Sequence, residues 1–125
     1  MKIILKGAPR TKKNSPRIIA IGRGHRILPS KAYMDYAASC SIQLQALGFS
    51  RLGISTPVNV ACMYFMPTRR KVDLVNLIEA TCDILRDNCV VLDDNSDIIV
   101  GHDGSRVMYD KNNPRVEIDI TEVDV

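Results

Sequence analysis

The chain has 125 residues, is 46% hydrophobic and 25% charged, and carries a net charge of +3. This fits one domain, residues 1–125, that buries most of its apolar surface with little margin, so an oligomer is plausible on size alone. No apolar run approaches the roughly 20 residues of a membrane-spanning helix, and Met1–Lys6 is too short for a signal peptide; a cytoplasmic protein without a membrane role is expected. Cys40, Cys62, Cys82 and Cys89 form no CxxC pair and have no His at zinc-ligand spacing, so buried, reduced thiols are expected.

Met1–Lys6 and Arg17–Ile21 read as strands. The loop between them, bounded by Gly7 and Pro16, holds Arg10, Lys12 and Lys13. Gly22-Arg23-Gly24-His25 reads as a turn and lacks the register of a phosphate-binding fingerprint. Pro29-Ser30 offers an N-cap for a helix over 31–47, with Tyr33, Tyr36, Ala37, Cys40, Leu44 and Leu47 on one face and Gly48 ending it. Those tyrosines read as packing residues sooner than as a base-stacking platform. Val58–Met66 fits a buried strand closed by Pro67.

Asp73 can cap a second helix running from Leu74 to about Arg86. At about 100° per residue, Leu74, Leu77, Ile78, Thr81, Ile84 and Leu85 share one face, and Asp73, Asn76, Glu79, Asp83 and Asp87 fall opposite them. Downstream, Gly101-His102-Asp103-Gly104 reads as a hairpin turn between strands at 98–100 and 107–109. The fold expected from this order is a single α+β domain: a mixed or antiparallel sheet of about four to five strands packed with two main helices.

Charge is split sharply along the chain. Residues 1–72 hold thirteen Lys and Arg against one acid, Asp35, whereas residues 73–125 hold thirteen Asp and Glu against Arg86, Arg106, Lys111 and Arg115. An acidic helix face has two readings. It is either a solvated face or a set of carboxylates waiting for a counter-ion. Solvated faces normally mix signs in i,i+4 pairs, and this one is nearly all acidic. Leu92-Asp93-Asp94 follows one strand-length later, and the returning chain could bring Asp93 or Asp94 to the helix N-terminus. Oxygen ligands so gathered would suit Mg²⁺ or Mn²⁺.

These residues resemble the RusA-type Holliday-junction resolvases, a family often encoded in prophages. The resemblance runs through Gly7-Ala8-Pro9, Lys12-Lys13-Asn14-Ser15, Arg69-Arg70-Lys71-Val72-Asp73, Asn76, Asp83-Ile84-Leu85, Asp93-Asp94, Arg106 and Arg115-Val116-Glu117-Ile118. The family pattern Asp-x-Asp-Asn-x-x-Lys is altered at two positions: Val75 stands at its second aspartate and Glu79 at its lysine. The resemblance implies a homodimeric, Mg²⁺-dependent (Mn²⁺ possible) crossover junction endodeoxyribonuclease that cuts branched DNA symmetrically in recombination and repair. It carries metal-ligand roles to Asp73 and Asp94, with Asp93 close by.

Glu79 is expected as a relocated ligand, because positions 75 and 79 are i,i+4 neighbours on a helix and a glutamate reaches one methylene further than an aspartate. Lys12, Lys13, Arg69, Arg70 and Lys71 are the expected contacts to the DNA backbone. The alternatives are a catalytically impaired relative that binds branched DNA without cutting it, and an acidic-helix interaction protein with no DNA role.

Overall fold

The computed structural model describes residues 1–12, 17–22 and 24–124. In chain order the elements are β1 (Lys2–Lys6), β2 (Arg17–Ile21), β3 (Gly24–Leu28), α1 (Lys31–Leu47), β4 (Val58–Met66), α2 (Leu74–Asp87), β5 (Ile99–Gly101), β6 (Arg106–Tyr109) and β7 (Arg115–Glu122). The α+β expectation is met: β1, β7, β4 and β5 lie side by side, and β6 pairs with β4. β1 and β4 flank β7 in antiparallel register, with Ile3 opposite Ile118 and Cys62 opposite the same residue.

Alternation along these strands separates the two faces. Ile3, Leu5, Val58, Val60, Cys62, Tyr64, Val116, Ile118 and Ile120 are buried. Tyr33, Tyr36, Cys40 and Leu44 of α1 and Leu77, Ala80, Ile84 and Leu85 of α2 join them in one core, as expected of Tyr33 and Tyr36, whereas Leu47, expected on the same face of α1, is exposed in its last turn. The sheet's other face carries charge. Lys2 and Arg115 both bond Glu117, and Arg115 lies 3.8 Å from the Phe65 ring centroid.

Both helices begin as their caps predict. Ser30 Oγ accepts from Tyr33 N at 3.1 Å, and Asp73 Oδ1 accepts from Val75 N at 2.9 Å. α1 stops at Gly48, whose φ of 81° is the left-handed conformation that glycine adopts without steric cost.

Three local expectations are corrected. Gly24–Leu28 is a strand, not simply the exit of a turn, and pairs with β2 as a separate two-stranded ribbon. Cys89 is exposed, at φ 54°, while the other three thiols are buried.

The 98–109 segment, third, is not a hairpin. β5 and β6 each run parallel to β4, along the same edge, with residues 102–105 bulging between them. Over that bulge β4 lacks a strand partner on this edge, though β7 still pairs with its other edge, and two side chains take the missing partner's place. His102 Nδ1 donates to Val60 O at 2.8 Å, and Ser105 Oγ accepts from Cys62 N at 3.0 Å. A Cβ at Gly101 would come within 2.9 Å of Asn59 Oδ1, an oxygen already accepting from Asp103 N, so the bulge needs glycine there.

Candidate functional site

α2 carries the acidic residues, and the connections at its two ends decide what they meet. At its start, Thr68 to Lys71 form an exposed basic loop after β4, and Val72 packs against the core. Arg69 is anchored over Tyr109, 4.4 Å from the ring centroid, and Arg70 and Lys71 are exposed. Asp73 is exposed as well, with one oxygen committed to the helix N-terminus, where the macrodipole favours a carboxylate. Val75 and Glu79 are exposed one turn apart.

At the other end the chain turns through Cys89 and is pinned to residues 51–54. Ile54 N donates to Val90 O at 3.1 Å and Leu92 N to Ile54 O at 2.8 Å. This delivers Asp93 and Asp94. Both oxygens of Asp93 accept bonds from its own turn, from Asp94 N at 2.7 Å and from the Asn95 amide at 3.1 Å. The Asp94 N–H, followed by Asn95, holds the Asp93 carboxyl below the ordinary aspartate range.

Asp94 faces the other way and meets Arg86. Arg86 Nη1 lies 3.3 Å from Asp94 Oδ2, and Nη2 lies 3.2 Å from Asp83 Oδ1 and 3.5 Å from Asp87 Oδ1. On its far side Asp83 receives Lys12 Nζ at 2.6 Å, and that ammonium stands 5.7 Å from the Tyr33 ring centroid. Partial burial opposes charge on Arg86, but Asp83, Asp94 and Asp87 outweigh it, so the guanidinium titrates above its ordinary value. Burial first, and then Asp83 and Asp87, raise the Tyr33 hydroxyl.

Asp83 is therefore not part of a solvated acidic face. Its side chain is 12% exposed and lies between two cations. It lies opposite the apolar stripe of α2, and the N-terminal segment reaches it there through Lys12. Nearby, Cys82 Sγ is 3.9 Å from His102 Nε2. A carbonyl can only accept, so Nδ1 of His102 carries the proton and Nε2 receives the weak thiol donor. Burial, with Cys62, Asp94 and Asp83 adding to it, pushes the Cys82 thiol up to about 12. This Cys–His pair links α2 to β4 and offers no nucleophile at neutral pH.

The profile of the family described as endodeoxyribonuclease RusA matches residues 6–121. The chain belongs to the RusA family. Compared with curated proteins one by one, it matches none. The match takes in Lys12, the Arg69–Lys71 loop, Asp73, Asp83 and Asp94, which places both ends of α2 within RusA-type sequence.

The carboxylates expected to hold a divalent ion fit it by chemistry, since hard cations take oxygen ligands. They do not fit it as assembled. Asp73 caps the first turn of α2, while Asp94 bonds Arg86, whose backbone stands in the last turn, about 20 Å further along the axis at ~1.5 Å per residue. Among the described residues no group of three or more His, Cys, Asp or Glu is arranged to hold a metal. Lys12 is engaged with Asp83, and Lys13 lies outside the described residues. Sequence reasoning overlooked Arg86 and Tyr109. The signal for Arg86 was its place as the one base on an acidic helix, three residues after Asp83.

Proposed function

We propose that the protein is a divalent-metal-dependent crossover junction endodeoxyribonuclease, acting as a homodimer on branched DNA in recombination and repair. The observation that carries this reading is the RusA-family match over residues 6–121. The exposed Arg70 and Lys71, beside Arg69 on Tyr109, supply cations for the phosphate backbone immediately before Asp73. The anchored arginine fixes the loop, and the two free-standing positions engage phosphates with strong salt dependence. Two symmetric cuts on a four-way junction call for two identical sites, and a two-fold dimer presents them. The ion would be Mg²⁺, with Mn²⁺ as substitute, and the carboxylates to hold it would be Asp73, Asp94 and Glu79, with Asp93 beside them, drawn together on binding.

Incubating the protein with a labelled four-way junction, with Mg²⁺ or with EDTA, tests this reading. Metal-dependent paired cuts support it; binding without cutting in any metal contradicts it. That second outcome is the one favoured by a specific observation: Arg86 engages Asp94, and Val75 stands where the family has an aspartate. A relative that binds branched DNA without cleaving it would keep the basic loop and lose only the ion.

A further inference from the structure

Arg86 is the sole cation in contact with Asp94 and Asp87 among the described residues, and it shares Asp83 with Lys12. Its guanidinium touches three carboxylates at 3.2–3.5 Å through two nitrogens. Two of these partners, Asp83 and Asp87, are on its own helix. Asp94 comes from the turn beyond, so this contact is the one that ties the two segments together. Clustered carboxylates without a counter-charge repel one another. In this chain the counter-charge is supplied by the protein.

We infer that Arg86 is a positioning residue acting as the resident cation of this cluster: it holds Asp94 at the last turn of α2, in competition with a divalent ion. The inference rests on the proposed metal dependence and extends it to how strongly the ion is bound. The Arg86 guanidinium holds one oxygen of the carboxylate that a divalent ion would also take, and two cations on one carboxylate repel, so each weakens the other.

A structural salt bridge and a competing cation predict opposite signs. If Arg86 only braced the fold, replacing it would loosen the site and weaken metal binding or leave it unchanged. If it competes, Arg86→Gln frees Asp94 and adds net negative charge around it, and the protein binds Mn²⁺ about tenfold more tightly. The experiment is Mn²⁺ titration of the full chain without DNA, followed by electron paramagnetic resonance of the free ion. Arg86→Gln tightens binding, and Asp94→Asn in the same background reverses the gain. Unchanged or weaker binding by folded Arg86→Gln overturns the inference.

A second measurement needs no variant. Titrating Mg²⁺ into the unaltered protein moves the Arg86 Nε–Hε resonance as Asp94 leaves it, and an unmoved resonance at saturating Mg²⁺ overturns the inference equally. Junction cleavage by the unaltered protein is scored separately. Cutting without the predicted tightening rejects the role of Arg86 alone, whereas no metal binding and no cutting rejects the functional reading beneath it.

Discussion

Arg86 and Asp94 meet at 3.3 Å, joining the last turn of α2 to the turn that follows it. The same guanidinium holds Asp83, which in turn holds Lys12. A chain of alternating charges thus runs from the N-terminal segment across the helix to Asp94. One consequence is that the acidic half and the basic half of the sequence, separate in composition, interlock at Asp83.

Neutralising the middle of that chain is costly. Asp83→Asn leaves Lys12 and Arg86 facing an amide, and urea denaturation should register a loss of about 2 kcal/mol. This is below the cost of breaking a fully buried pair because the two cations are 35% and 39% exposed. Lys31→Ala is the contrast, since the exposed Lys31–Asp35 pair contributes no more than about 0.5 kcal/mol. Equal effects from the two substitutions would remove the distinction.

Between α2 and β4, Thr81 Oγ1 donates to Leu77 O at 3.0 Å and accepts from Tyr64 Oη at 2.7 Å, all of it buried. Tyr64→Phe removes a donor and leaves only an acceptor unfilled, for about 1 kcal/mol. Thr81→Val strands the tyrosine hydroxyl with no better acceptor than the thiol of Cys62, and costs about 2 kcal/mol. Thermal and urea melts of both variants should show this order.

On the outer sheet face, Lys2 and then Arg115 hold Glu117 below the ordinary glutamate range. A depressed folded value means that the stabilisation is present above the unfolded glutamate pKa and is lost as pH falls through the folded one. Melting temperature should therefore fall on acidification below about pH 4, the ordinary glutamate region, and Glu117→Gln should flatten part of that slope. At neutral pH the same variant loses about 1 kcal/mol. An unaltered acid slope in Glu117→Gln would show that the pairs contribute no linkage.

For the DNA interface, Arg70→Ala and Lys71→Ala should each reduce the slope of log affinity against log salt for a four-way junction by about one unit. Fluorescence anisotropy across a salt series measures this. Slopes equal to that of the unaltered protein would mean that these cations face only solvent.

How much of this was legible beforehand depends on how local each signal is. α1 is bounded by Ser30 and Gly48 as its caps predict, Asp73 caps α2, and β4 spans Val58–Met66 as its apolar run predicts. These elements are decided by residues within a few positions of one another. β5 and β6 were misread as a hairpin because Gly101–Gly104 carries turn residues, while their actual partner is β4, some forty residues earlier. The roles of His102 and Ser105 follow from that pairing and carry no local signature. Periodicity likewise placed Asp83 opposite the core without naming its counter-ion, because that partner, Lys12, is about seventy positions away. At the site itself, family resemblance picked out Asp73 and Asp94, whereas the Arg86–Asp94 contact depends on how residues 88–92 are pinned to 51–54.

The central claim is that this RusA-family chain cuts branched DNA. Its most direct test is single-turnover conversion of a 5′-labelled four-way junction to nicked duplex, in Mg²⁺ and in EDTA, by the unaltered protein and by Asp94→Asn. The account predicts paired cuts at symmetric positions in Mg²⁺, none in EDTA, and a loss of at least a hundredfold in rate for Asp94→Asn at unchanged junction affinity. Junction binding with no cleavage by the unaltered protein, in either Mg²⁺ or Mn²⁺, would contradict it.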